Sequence, residues 1–491
     1  MDFILNSNGG FGSERCWGVM FRIRFFQGIC GLLALAVLAG CGGTGQFGSG
    51  GNKGNSTVVL AMTDSPPSLV TVLSAQITLT GATLAPGNVS LLTSHATMDM
   101  ARLQTDVAYL ATASNVPAGS YTSLNLTFAN PSLTFENDTG ATLAGCAMAT
   151  ICVVTPSTTT LSASVPLSSF SVASSSATGL LIDVDLETLL NASLVEDFNA
   201  ATTAFPFTPA GTGAPPVGAE DIVGHVASVT ASTSTFTLTN AQASYNLKVD
   251  GTTTFFQFPS GATCPTPPAF SCLQPNQIVS VDIGIQSDGS LLARNIVFED
   301  ADSSDAEVEG IVTSTDLASQ QFNVVVHTVS GSGAGLSVGQ KATVQYPVSQ
   351  PLFDIDLVHA DNTQISLGTS GFLFSTPADL VVGQEVSVRR HATLAGGQVQ
   401  ADRVRLRSSR FTGSVQTNAS GVLTISSPSL FSGQPGGSTI RAQTYVPTIF
   451  FEIGHSINIT NIGFVPISVR GPLFNLNNQR TLAASKVVVQ P

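Results

Sequence analysis

Three stretches of this chain begin, continue and end alike, and that repetition constrains the fold more than any other feature. They open as Ile222-Val223-Gly224-His225-Val226, Val308-Glu309-Gly310-Ile311-Val312 and Phe411-Thr412-Gly413-Ser414-Val415. Alternating segments follow: Phe236-Thr237-Leu238, Phe322-Asn323-Val324 and Leu423-Thr424-Ile425. A later segment recurs as Gln277–Val281, Gln384–Val388 and Val465–Val469, and the copies end on Leu291–Val297, Gln398–Val404 and Thr481–Val487. Apolar residues at period two mark half-buried strands. About five such signals per copy fit a small closed barrel of the OB type, in which closure removes exposed strand edges. The copies are placed at 221–300, 306–408 and 409–491, the third being the most divergent.

The remainder also reads as β. Only 10% of residues are charged and 43% are hydrophobic, and small β-formers punctuated by glycine suit short strands. A separate domain over 58–207 shows strands at Thr57–Met62, Ala75–Leu79, Leu124–Phe128 and Leu180–Val184. Leu186, Leu189, Leu190, Leu194, Val195 and Phe198 recur at helical spacing behind Asp185, which predicts one helix with Asp185 as its N-cap. Residues 208–220, rich in Pro, Gly and Ala, read as a linker. The stretches LAMTDSPP, VPAGSYTSLNL and LLIDVDL resemble the domain-of-unknown-function family 4382. That resemblance implies an antiparallel β-sandwich, and the Pro-Ala-Gly-x-Tyr turn is similar to prealbumin-like modules. The family has no assigned activity and brings no catalytic residues. The three copies resemble a second uncharacterised family, numbered 5666. The expected architecture is all-β: a sandwich followed by two or three OB-like barrel repeats.

The N-terminus reads as an export signal. Arg22 and Arg24 precede the apolar run Ile29–Leu38, which passes into Leu38-Ala39-Gly40-Cys41. A basic start, a short apolar core and small residues at a cleavage point make a signal peptide, and the run is shorter than the ~20 residues of a spanning helix. The arrangement resembles a bacterial lipoprotein signal, with Met20 as the true start, 1–40 removed, Cys41 lipidated and 41–57 a flexible tether. Gly42 rather than Asp after that cysteine favours the outer membrane, by resemblance to a known sorting rule. Loss of Cys16 and Cys30 with the leader leaves Cys146, Cys152, Cys264 and Cys272. An even remainder in an exported chain argues for disulfides. Three pairings exist, and proximity favours Cys146–Cys152 and Cys264–Cys272. CxxC spacing is absent, so zinc is not expected.

Charge is unevenly spread. Residues 41–388 hold five basic residues against 27 acidic, net −22, whereas residues 389–491 hold ten basic against two acidic, net +8. Arg403, Arg405 and Arg407 alternate with Val404 and Leu406, so a strand points all three to one face; Arg389, Arg390 and Arg410 are near in sequence. Such a stripe suits phosphate or carboxylate. It fits lipid A phosphates, an acidic polysaccharide, an envelope protein or the acidic front of this same chain, or it is a solvated strand face. The acidic run Glu299, Asp300, Asp302, Asp305, Glu307 and Glu309 is read as a solvated linker, with calcium binding as the alternative.

Gly335-Leu336-Ser337-Val338-Gly339 matches the GxSxG nucleophile elbow, which needs a strand-to-helix turn. The surrounding Leu336-Ser337-Val338-Gly339-Gln340 recurs as Leu380-Val381-Val382-Gly383-Gln384 ahead of a strand, so a turn is expected at Ser337. The histidines His95, His225, His327, His359, His391 and His455 are scattered, and no metal or cofactor is expected. Nucleic-acid binding needs a basic groove with stacking aromatics, which the acidic first two barrels do not supply. The leading expectation is a lipid-anchored envelope protein with a non-enzymatic binding or scaffolding role. The alternatives are a hydrolase using Ser337 and carbohydrate binding through Tyr109 or Tyr121.

Overall fold

A computed structural model describes residues 55–65, 70–209, 218–240, 243–258, 264–301, 306–330, 335–346, 352–356, 359–360, 363–367, 371–390, 398–426, 438–452, 455–457 and 459–489. The leader, Cys41, most of the proposed tether and most of the proposed linker lie outside the described residues, as do Asp302, Asp305 and His391. Residues 52–491 form one compact unit. The chain is almost entirely β, as its alternation requires.

Two sheets face one another in the N-terminal module. In one, Asn55–Ser65 lies between Ala177–Asp185 and Ala108–Pro117. In the other, the long strands Thr71–Ala85 and Gly119–Glu136 pair, and Ser162–Val172 adds to the second of them. Leu60, Ile77, Leu124, Phe128, Phe135 and Ile182 fill the space between the sheets. The sandwich is not purely antiparallel, because Asn55–Ser65 runs parallel to Ala177–Asp185. The helix expected behind Asp185 is also interrupted. Asp185 caps a single turn, Leu186–Leu189, and a second turn, Phe198–Ala201, follows the short strand Val195–Asp197. Between them the Asn191 side chain accepts the backbone N–H groups of Ser193 and Val195, and Leu194 takes a left-handed φ of 55°. Leu186, Leu189, Leu190, Leu194 and Phe198 are still all buried; the apolar spacing that imitates a helix is satisfied by two turns and a loop.

Three barrels follow. In the first, Gly218–Thr230, Thr235–Thr239, Ser244–Val249, Leu291–Asp300 and Ile278–Ile285 close into a five-stranded ring. The third and fifth strands in chain order pair in parallel, Leu247 opposite Leu291. The second copy repeats this order, with its fifth strand split into Gln398–Gln400 and Arg403–Leu406. The third repeats it again, with Gln479–Ala483 and Lys486–Val489.

The recurring glycine has a steric cause. A methyl group on Gly224 would lie 2.8 Å from the carbonyl oxygen of Thr239. On Gly310 it would lie 2.3 Å from that of Val325, and on Gly413 2.3 Å from that of Ser426. Three residues further on, each first strand carries an extra residue, Ala227, Thr313 or Gln416, where the register shifts. Bulges and glycines of this kind bend and coil a strand tightly enough to close a small barrel.

Candidate functional site: a buried charge seam and its cavity

The acidic front and the basic end of the chain meet inside the molecule. Period two in Arg403–Leu406 puts Arg403 and Arg405 on one face, and Arg407 continues it in the bridge to the third barrel. That face is covered, not solvated, and Arg407 is 0% exposed. The side chain opposite is Glu299, also 0% exposed, at the end of the first barrel. Its Oε2 accepts from Arg403 and Arg405, each at 2.8 Å, and its Oε1 accepts from Arg407 at 2.9 Å. Asp354 takes Arg405 at 2.9 Å and Asp356 takes Arg407 at 2.7 Å. Four of the acidic residues read as a solvated linker are therefore buried partners of arginine: Glu299, Asp300 beside Arg389 at 3.3 Å, Glu307 beside Arg403 at 3.1 Å, and Glu309 beside Arg102 at 3.0 Å.

The seam extends to the other modules. Asp106 of the sandwich holds Lys486 at 3.0 Å and pairs with Arg410. Arg470 pairs with Glu220 and Asp221, and Lys486 reaches Glu220 at 2.7 Å. His327 places Nδ1 2.8 Å from Glu385 and Nε2 2.6 Å from the carbonyl oxygen of Leu73 in the sandwich. Burial opposes the charge on that imidazole, but Glu385 outweighs it and raises its pKa. Arg389 bonds Asp402 at 2.9 Å. Sequence reasoning singled out the arginine stripe but missed Arg470, Lys486, Asp106, Glu220 and Asp221. The charge imbalance between the two parts of the chain was the available signal.

Burial and pairing compete at each carboxylate. Burial raises Asp106 and Asp221, yet the surrounding cations outweigh it and hold both well below the usual range. Asp282 is pushed up to about 7 by burial and by Asp221 and Glu220. Glu307 is likewise raised to about 7, by burial and by Glu299 against the opposing Arg403. The lowered groups add stability that is full above about pH 4, where unfolded carboxyls ionise, and that is lost as pH falls through their folded values. The raised pair acts in the other direction: from about pH 4 to 7 the unfolded chain releases protons that the folded chain retains, so stability declines. Urea midpoints should therefore peak near pH 4–5, and Asp282→Asn should flatten the decline toward neutrality. A curve that climbs steadily to pH 7 would contradict this assignment.

A cavity of about 520 Å³ opens beside the seam, bounded by Arg102, Asp106, Tyr109, Asp221 and Tyr245. Among the described residues no group of three or more His, Cys, Asp or Glu side chains is arranged to hold a metal ion. Ser337 sits in a turn that leads into the strand Lys341–Gln345. Its N–H donates to the Gln340 side-chain oxygen at 3.1 Å, as Val381 donates to Gln384 at 2.7 Å and Gln274 to Gln277 at 2.8 Å. The GxSxG stretch is thus one of three copies of a glutamine-closed turn, and the carbonyls of Val338 and Gly339 are engaged by Gln76 and Thr134 of the sandwich. The cysteines pair as Cys146–Cys152 and Cys264–Cys272. Tyr121 is buried with its hydroxyl on the Pro117 carbonyl oxygen at 2.7 Å, whereas Tyr109 lines the cavity.

The fold defines an all-β chain of one sandwich and three five-stranded barrels. A family model described as "Domain of unknown function (DUF4382)" matches residues 55–203, the sandwich module. No curated protein and no solved structure matches the chain.

Proposed function

We propose that this is a lipid-anchored cell-envelope protein with a non-enzymatic binding or scaffolding role, held through Cys41 at the outer membrane. The repeats are read as members of the uncharacterised family 5666. The observation that carries the scaffolding part is the buried seam, which ties the sandwich and all three barrels into one body through paired charges. A chain of independent beads would leave those groups in water, where ion pairs contribute little. Two short disulfide loops suit an oxidising compartment. The anchor rests on the basic flank, apolar core and Leu-Ala-Gly-Cys ending. No described helix is long and apolar enough to cross a membrane.

Metabolic labelling with palmitate and fractionation of bacterial cells expressing the full chain test the anchor. The parent protein is expected to take up label and sediment with membranes, and a Cys41→Ser protein to do neither. An unlabelled parent protein in the soluble fraction overturns the proposal.

A further inference from the structure

A second cavity, of about 610 Å³, lies between the sandwich and the first barrel and shares Tyr109 and Tyr245 with the cavity beside the seam. Its floor is the outward face of the barrel strands Thr235–Thr239 and Ser244–Val249. On these strands Phe236, Leu238, Tyr245 and Leu247 point into the core, while the residues between them face out. The outward side chains form a hydrogen-bonded row across three strands: Ser228 to Thr237 at 3.1 Å, then Thr237 to the Asn246 side-chain oxygen at 3.0 Å. The opposite wall is the sandwich strand Ala108–Pro117. Thr112 of that strand donates to the Gly289 carbonyl oxygen at 3.0 Å, which fixes the two modules on either side of the groove. Tyr109 is half-buried there, its ring 6.4 Å from that of Tyr245.

The groove is wide enough for a small ligand and is lined by hydroxyls and an amide. Hydroxyls donate and accept at once, and a tyrosine offers an apolar ring face beside a polar tip. Charge is almost missing. Lys248 is the one ionisable side chain other than tyrosine among the described lining residues, and Asp288 lies 3.4 Å from it. An acidic polymer or a nucleic acid draws its affinity from cations that release counterions, and this groove offers no uncompensated one. A peptide adding a strand needs a free sheet edge; the closed barrel presents none, and the edge strand of the sandwich sheet, Ala108–Pro117, is the one such edge at the groove among the described residues. The hydroxyl and amide row on the barrel side matches instead a neutral, polyhydroxylated chain with one apolar face.

We propose that this groove binds a neutral oligosaccharide, its hydroxyls meeting the Ser228–Thr237–Asn246 row and its apolar ring face lying on Tyr109. This deepens the binding role given above and does not depend on the lipid anchor.

The test is calorimetric titration of the soluble mature chain with cellotetraose, maltotetraose and tetra-N-acetylchitotetraose, and with polygalacturonate as the anionic comparison. At least one neutral tetrasaccharide should bind with Kd between about 1 µM and 1 mM, with little change on adding salt. Tyr109→Ala and the double variant Thr237→Val/Asn246→Ala should each weaken it tenfold or more, and Tyr121→Phe should not. If Tyr109→Ala fails to fold, the double variant decides, because Asn246 is exposed and Thr237 half-exposed on the barrel surface. Three results each overturn the proposal: no heat with any neutral tetrasaccharide, unchanged affinity in the folded double variant, or binding confined to polygalacturonate and abolished by salt. A membrane-bound protein without glycan affinity refutes the groove assignment alone. A glycan-binding protein that is not lipidated refutes the anchor alone.

Discussion

Glu299→Ala is expected to destabilise the protein by about 3–5 kcal/mol, the usual cost of removing one partner from a buried ion pair. The reason is local to one carboxylate. Arg403, Arg405 and Arg407 all donate to Glu299, and the glutamate and Arg407 are out of contact with water. Without it, Asp356, Asp221 and Glu309 remain near Arg407, Asp354 on Arg405 and Glu307 on Arg403, but three guanidinium groups lose a shared acceptor in a poorly solvated site. Glu299→Gln keeps the volume and one acceptor oxygen, so its loss should be intermediate. Urea unfolding followed by far-UV circular dichroism reads the difference. Limited proteolysis reads the consequence, since the first barrel is joined here to the bridge between the second and third. A Glu299→Ala midpoint within about 0.5 kcal/mol of the parent, the range of ordinary surface changes, would show that the seam does not hold the modules together.

Gly310→Val should cost about 3 kcal/mol or more, at the upper end of overpacking penalties. The barrier is backbone: the new Cβ would sit 2.3 Å from the Val325 carbonyl oxygen, and no side-chain rotation relieves it. Strands Ala306–Asp316 and Gln321–Ser330 would have to separate beside the register shift at Glu309 and Gly310. Gly310→Ala should show most of the effect, because the methyl itself makes the clash. Thr313→Ala, in the extra residue of the same strand, should be mild, since Thr313 is partly exposed. Thermal unfolding of the three variants separates these cases. A Val variant as stable as the Thr313→Ala variant would remove the steric account of the repeated glycine.

Much of the fold is legible in the residues. The strands expected at Thr57–Met62, Leu124–Phe128 and Leu180–Val184 lie inside observed strands, because alternation reports which side faces the core whatever lies opposite. The Leu-x-x-Gly-Gln repeat identifies a turn for a similar reason: the glutamine closes it on a residue three positions earlier. The helix behind Asp185 was misread because buried leucines at helical spacing do not reveal a left-handed residue between them. Parallel pairing in the sandwich escaped notice because period two is the same for either strand direction. At the seam, spacing alone placed Arg403, Arg405 and Arg407 on one face, but the identity and even the presence of a cover came from a residue more than a hundred positions earlier. The groove shows the same limit. Tyr109 stood beside Tyr121 as a candidate sugar contact, while Thr237 and Asn246 were ordinary polar residues on an outward face.

By itself the sequence determined the all-β class, the threefold repetition, the glycines that closure demands and the total charge to be reconciled between the two parts of the chain. These follow from sterics and periodicity acting over a few residues. Only the tertiary structure decided which carboxylate meets which guanidinium, that the arginine face is buried, and that Tyr109 shares a groove with Asn246. Such contacts join modules far apart in the chain, and their energy depends on burial and geometry that no local pattern encodes.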